Sequence, residues 1–310
     1  ILLTRGKRNS FSVEVEGTNS AGDFGAALST SYQNRNVFRG GETFNIKLRG
    51  AFEAIKGLSG YQDQNYIEYS AETGFTFPGF RAPFISRDFR RKVVATSEVS
   101  LMYDSQDRPE FHRRVVTAAW KYRWARPGKR LQHRVDLLDL NYVFMPWISS
   151  TFRELYLDDP ENRNAILRYN YENLFIMKWG YNMTYNSRSI RDGRTNYGTN
   201  GYIVRMGVES SGNLLYGLSK AGLSNINSMG QYTFFNIAYA QYVKADFDYS
   251  KSFIFDKRNS LALHFGLGVA YPYGNSTILP YEKRYFSGGA NSVRGWSVRE
   301  LGPGSFRGND

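Results

Sequence analysis

Apolar and polar residues alternate with a period of two in one segment after another along this chain. Phe11, Val13 and Val15 alternate with Ser12, Glu14 and Glu16, and Phe44, Ile46 and Leu48 with Asn45, Lys47 and Arg49. The pattern is clearest at Phe175, Met177, Trp179, Tyr181, Met183 and Tyr185, set against Lys178, Gly180, Asn182, Thr184 and Asn186. It recurs at Leu261, Leu263, Phe265, Leu267, Val269 and Tyr271, interleaved with Ala262, His264, Gly266, Gly268 and Ala270. Successive side chains of a strand point to opposite faces, so these segments are β-strands with one greasy, aromatic face and one small or polar face. A β-sandwich gives the same alternation with shorter strands and its apolar face turned inward. Several segments here are longer than the roughly 9–11 residues that cross a bilayer at a tilt. The pattern therefore predicts an all-β chain, a transmembrane antiparallel β-barrel.

About eleven strands are expected in meander order. They centre on residues 10–18, 23–34, 41–54, 64–77, 92–104, 110–124, 130–144, 173–187, 197–210, 231–250 and 258–272. Connections after the even-numbered strands carry much of the positive charge, as in Arg87, Arg90, Arg91 and Lys92 or Arg188, Arg191 and Arg194. The opposite set holds the longer loops, around 145–172, 211–230 and from 273 onward, with a short helix expected between Pro160 and Tyr171. Short turns on one rim and long loops on the other match an outer-membrane barrel with the periplasm on the short side. The basic rim would then meet inner-leaflet headgroups or an acidic partner, although any single arginine there reads equally well as a solvated turn charge. Bacterial single-chain barrels have even strand counts and tolerate no open edge in lipid, so closing strands are expected outside this sequence. The opening Ile1-Leu2-Leu3-Thr4 has neither a charged lead nor a long apolar core, so the chain is expected to start inside a longer precursor.

Composition sharpens this picture. Of 310 residues 16% are aromatic, while the mean hydropathy is a polar −0.50. Aromatic girdles explain that combination, because Tyr and Trp pair an apolar body with a polar tip. No apolar run is long enough for a transmembrane helix. The net charge of +12 would suit nucleic acid, but the charges are scattered through strands and turns and form no basic helical stripe. Anionic lipid headgroups are the simpler counterpart. The absence of cysteine fits an envelope barrel without demanding one.

Candidate chemistry concentrates near the end of the sequence. Arg284-Tyr285-Phe286-Ser287-Gly288-Gly289-Ala290-Asn291-Ser292-Val293-Arg294-Gly295-Trp296 continues into Leu301-Gly302-Pro303-Gly304. Its glycines allow tight turns and close backbone packing, and an arginine in such a frame is placed for a forked contact with a carboxylate. No Gly-Lys-Ser/Thr follows, which removes the phosphate-loop reading. His112, His133 and His264 fall on separate predicted strands without metal-ligand spacing, so no metal site is expected and each reads as a lumen or interface histidine. Asp136 and Asp139, on one strand, are expected on opposite faces and hence not as an acid pair. With no Gly-x-Ser-x-Gly elbow either, the chain is not expected to be an enzyme.

The Tyr285-Phe286-Ser287-Gly288-Gly289 lead into Val293-Arg294-Gly295-Trp296 resembles the sixth outer loop of the BamA/TamA superfamily of outer-membrane assembly barrels, the bacterial surface antigen family. Arg299-Glu300-Leu301-Gly302-Pro303-Gly304 resembles the TamA branch, especially its lipoprotein (TamL-like) form. Gly25-Ala26-Ala27-Leu28-Ser29 through Gln33-Asn34-Arg35-Asn36-Val37-Phe38-Arg39-Gly40-Gly41-Glu42 resembles the family's second strand and first inner turn. The resemblance implies a complete barrel of about sixteen strands preceded by soluble POTRA repeats. Residues 1–310 would be its N-terminal and central part, about eleven strands and then the lumen-folding loop over 273–310, without the POTRA repeats or the closing strands.

The resemblance also implies roles. Gly288, Gly289, Val293, Arg294, Gly295 and Trp296 would form a lumen-loop motif, with Arg294 paired to polar or acidic wall groups, Gly295 allowing close approach and Trp296 wedging the loop. The first strand, with Phe11, Val13 and Val15, would be one side of a lateral gate that templates client strands by β-augmentation. Read alone, those three residues are lipid-facing. The implied function is non-covalent assembly, insertion or translocation of outer-membrane proteins in a Gram-negative envelope, with no cofactor. The implied partners are client outer-membrane proteins, a TamB-like periplasm-spanning protein or other assembly subunits, and outer-membrane lipids, but no nucleic acid. A BamA-like central insertase and a two-partner secretion transporter share this fold. A diffusion porin would show an open, ion-selective channel, and a barrel enzyme a convergent Ser/His/Asp cluster at one rim.

Overall fold

A computed structural model describes residues 7–20, 23–54, 65–82, 85–126, 130–157, 173–188, 190–191, 194–195, 200–256, 258–288 and 293–296. Eleven long strands form one antiparallel sheet in which every strand pairs with its neighbour in sequence. They are β1 (Asn9–Ser20), β2 (Asp23–Arg35), β3 (Thr43–Ala54), β4 (Asn65–Pro78), β5 (Val94–Asp107), β6 (Phe111–Ala125), β7 (Leu131–Ile148), β8 (Leu174–Asn186), β9 (Gly201–Ser211), β10 (Tyr242–Ile254) and β11 (Ser260–Pro272). The meander barrel wall expected from the alternation is the observed architecture. Its largest departure is the tenth strand, expected over 231–250: residues 231–241 leave the wall, and β10 begins at Tyr242. The helix expected between Pro160 and Tyr171 lies outside the described residues.

Register carries the alternation from strand to strand. Val243, Ala245, Phe247 and Tyr249 of β10 stand opposite Tyr271, Val269, Leu267 and Phe265 of β11, and Val208, Met206 and Val204 of β9 continue the row. Opposed residues in an antiparallel ladder share a face, so one face is a continuous apolar surface. Phe265, Leu267 and Val269 are more than half exposed there. The other face is charged. Arg49 pairs with Glu16 at 2.9 Å, Arg123 with Glu98 at 3.4 Å and Arg205 with Asp248 at 2.9 Å. Apolar outside and polar inside is the barrel arrangement, and it reconciles a high aromatic content with a polar mean hydropathy.

Two connections fold back over the apolar outer face. On the rim reached by the even-numbered strands, Phe80 lies on Tyr122 and Trp124 (ring centroids 5.8 and 5.6 Å), and helix α1 (Arg87–Lys92) follows, capped by Ser86. On the opposite rim, residues 212–241 hold helix α2 (Asn213–Lys220) and a small three-stranded sheet over 225–238. There Leu215, Ile237 and Tyr239 pack on Phe175, with Leu140, Tyr142 and Met177 alongside. These buried clusters therefore sit at the rims, where loops cover the wall.

Candidate functional site

β11 ends at Pro272, and the chain then turns back along the inner face of the wall. Glu282 reaches Arg113 of β6 at 3.6 Å and accepts from the Asn141 amide of β7 at 3.5 Å. Lys283 lies 3.9 Å from Glu209 of β9, and its carbonyl accepts from Lys244 Nζ at 3.4 Å. The Tyr285 hydroxyl donates to Asp246 at 2.6 Å, and Lys244 Nζ stands 4.1 Å from the centre of its ring. The ring occupies the space that a Cβ at Gly268 would fill. Gly268 on the inner face of β11 thus makes room for the returning loop.

Burial and electrostatics agree at this junction. Burial, followed by repulsion from Lys178, pushes the Lys283 amine below its usual range. Burial, followed by donation to Asp246, pushes the Tyr285 phenol up. Under the loop, Lys178 of β8 contacts Glu209 at 2.8 Å and Asp139 at 3.7 Å, and the Tyr242 hydroxyl donates to Glu209 at 3.0 Å. Asp139 reaches this group through a bulge. Asp136 stands opposite Gly180 and Asp139 opposite Lys178, so β7 takes three steps while β8 takes two. The extra residue puts both carboxylates on the inner face, correcting the opposite-face expectation. Asp136 is held separately by Arg134 at 2.8 Å.

The motif residues are only partly within the described stretch. Gly288 is buried with φ +99°, a conformation that favours glycine, while Gly289 and residues 297–310 lie outside the described residues. Val293, Arg294, Gly295 and Trp296 form an exposed turn in which the Trp296 amide donates to the Val293 carbonyl at 3.2 Å. A Cβ at Gly295 would meet nothing within 4 Å.

On the far side of the sheet, Phe11, Val13 and Val15 project from the apolar face of β1 and are 69%, 53% and 78% exposed. Glu14 and Glu16 project inward, to Ser29 at 3.3 Å and Arg49 at 2.9 Å. Among the described residues β1 pairs along one flank, with β2, and β11 along one flank, with β10. Among the described residues the inward side chains of β1 reach β2 and β3.

The histidines stay apart. His264 pairs with Asp248 on the inner face, His133 Nδ1 is 2.7 Å from the Tyr181 hydroxyl, and His112 is 3.8 Å from Asp107. Among the described residues no three His, Cys, Asp or Glu side chains converge as metal ligands. Sequence reasoning did not single out Lys178, Glu209, Lys283 or Gly268. The sole sequence signal of Lys178, Glu209 and Gly268 was a charge or a glycine at a polar-face position, and strand register together with the fold-back of the loop bearing Lys283 supplied the partners.

A family model for the Omp85 superfamily domain matches residues 5–310. No curated protein matches the chain. Among solved structures, the crystal structure of BamA from Haemophilus ducreyi lacking POTRA domains 1–3 is similar, with a TM-score of 0.52 and 13% sequence identity. The match covers 96% of this chain and 47% of that one, so the chain spans about half the length of the BamA chain. At this identity the likeness concerns the fold.

Proposed function

The chain belongs to the Omp85 superfamily, and on that premise we propose that it forms part of an outer-membrane protein insertion or translocation barrel that works by non-covalent strand templating. The observation carrying this reading is the inner-wall seat of residues 281–285. A returning loop held by Glu282, Lys283 and Tyr285 occupies the lumen side of the wall, which suits an assembly factor better than a diffusion pore. In this reading the even-strand rim faces the periplasm and the long-loop rim the cell exterior of a Gram-negative outer membrane.

β1 would be the templating edge. Backbone N–H and C=O groups along an edge strand pair with an incoming strand, while Phe11, Val13 and Val15 keep contact with lipid. Arg294, with Gly288, Gly289, Val293, Gly295 and Trp296, would hold the loop in the conformation that sets access to that edge. Partners would be client outer-membrane proteins, a TamB-like periplasm-spanning protein or other assembly subunits, and outer-membrane lipids.

Site-directed photocrosslinking of the complete protein in native membranes tests this, with photoreactive residues at successive positions from Phe11 to Glu16. Nascent outer-membrane proteins are expected to be captured, and Arg294→Ala is expected to abolish the capture. If no client is captured and the purified barrel shows a large, steady conductance, a transport pore replaces the assembly reading.

A further inference from the structure

The excursion between β9 and β10 is unusual for a loop bathed in water. Residues 212–241 contain one charged side chain, Lys220. Among them Leu214, Leu223, Ile226, Met229 and Phe235 are between 62% and 83% exposed. So many bare apolar side chains within one excursion mark an interaction surface.

Its position in the fold identifies the partner. The excursion leaves β9 at Gly212, where φ is +80° and a Cβ would lie 2.6 Å from the Ala240 carbonyl oxygen, so the bend depends on glycine. From there α2 crosses the apolar outer face and not the lumen. Leu215 is buried in the cluster with Phe175, beside Tyr142 and Met177, residues of the same apolar face that runs through Trp179 and Tyr181. The bend is locked by polar contacts. Tyr273 donates to Asn213 at 2.6 Å, and the Asn275 amide donates to the Tyr232 and Tyr239 carbonyls at 2.9 and 3.1 Å.

Leu214 and Leu218, one turn apart, share a flank of α2 that none of these contacts covers. Lys220 Nζ stands 5.3 and 5.5 Å from the rings of Tyr216 and Tyr232. Leucines beside a Tyr–Lys cluster, on the lipid side of a barrel rim, match the layering of a bilayer interface. Acyl chains meet the leucines, while tyrosine hydroxyls and the ammonium reach headgroup depth.

We propose that residues 212–241 are a membrane-interface anchor, seated on the outer face of β7 and β8, whose exposed apolar side chains insert among the lipids of the outer leaflet. The inference rests on the membrane-barrel reading and adds a lipid-binding element outside the lumen and the β1 edge.

Residues 1–310 contain no cysteine, so once any cysteine elsewhere in the complete protein is replaced by serine, single-cysteine variants can be labelled specifically. Leu214→Cys and Met229→Cys, in the complete protein reconstituted in bilayers, would carry an environment-sensitive fluorophore. Phe265→Cys on β11 serves as the lipid-facing reference. Phospholipids brominated on their acyl chains are expected to quench all three labels, and aqueous iodide to reach none of them. If the Phe265 label is quenched while those at 214 and 229 respond to iodide alone, the anchor is overturned and the barrel reading stands. Labels at 214 and 229 shielded from both quenchers would assign the surface to a protein and overturn the anchor as well. If bromolipid leaves the Phe265 label untouched, the barrel reading falls and the anchor with it.

Discussion

Gly268 and Tyr285 show how one missing side chain can set the path of a loop. Glycine is a weak strand residue, having high backbone entropy and no side chain to pack, yet Gly266 and Gly268 stand side by side on the inner face of β11. The Tyr285 ring explains Gly268, and its hydroxyl ties the loop to Asp246. Gly268→Ala is expected to push Tyr285 off the wall and leave the strand intact. Fluorescence anisotropy of a probe on the loop should fall, with circular dichroism unchanged. Tyr285→Phe keeps the ring and removes only the hydroxyl bond. Because the residue is half-exposed, that change should cost on the order of 1 kcal/mol.

Among the connecting elements, the turn over residues 36–42 is held by a buried acid. Glu42 accepts from the Gly40 amide at 2.9 Å and pairs with Arg81 at 3.0 Å, so the first inner turn is fastened to the stretch that crosses β5. Its own backbone N–H first, then those of neighbouring residues and the Arg81 charge, lower its pKa below the ordinary 4.5. A depressed carboxyl contributes stability that is present above the unfolded value and is lost as pH falls through the folded one. Protection of the Gly40 and Gly41 amides, their exchange rate measured against the intrinsic rate at each pH, should therefore fall below about pH 4.5, and Glu42→Gln should remove that pH dependence. The departure of residues 231–241 from the wall is also a matter of elements. Tyr232 and Phe234 continue a strand-like pattern, but Phe235 and Asn236 adopt φ +52° and +63°, a left-handed pair that closes a tight hairpin. Phenylalanine gives no warning of such a turn, because bulky residues rarely adopt positive φ.

In the whole molecule, Lys178 joins parts far apart in sequence. It links β8 to β7 through Asp139 and to β9 through Glu209, which in turn meets Lys283 of the returning loop. Removing this cation leaves Asp139 and Glu209 with only the more distant Lys283 to offset their repulsion in a partly shielded lumen. Lys178→Ala is expected to lower stability by about 2–3 kcal/mol after allowance for lumen water. Urea unfolding in detergent micelles should show the loss, and Lys178→Arg should recover most of it. The crosslinking and lipid-quenching experiments address the two surfaces this frame presents, the β1 edge and the outer side of α2.

The sequence by itself determined the meander wall of eleven strands with one apolar and one polar face, because period-two alternation is written into each segment whatever its neighbours. It also marked the glycine-rich loop and a resemblance whose superfamily, though not its branch, the match over residues 5–310 bears out. Tertiary structure alone decided the rest. Asp136 and Asp139 share a face only because pairing with β8 absorbs an extra residue. Residues 212–241 lie on the outer face of the wall only because Gly212 turns the chain outward and Phe175 offers a surface to cover. Lys178 finds Glu209 only through register. Alternation is a local property of the chain, whereas bulges, charge partners and loop seats are set by contacts between segments that the sequence keeps far apart.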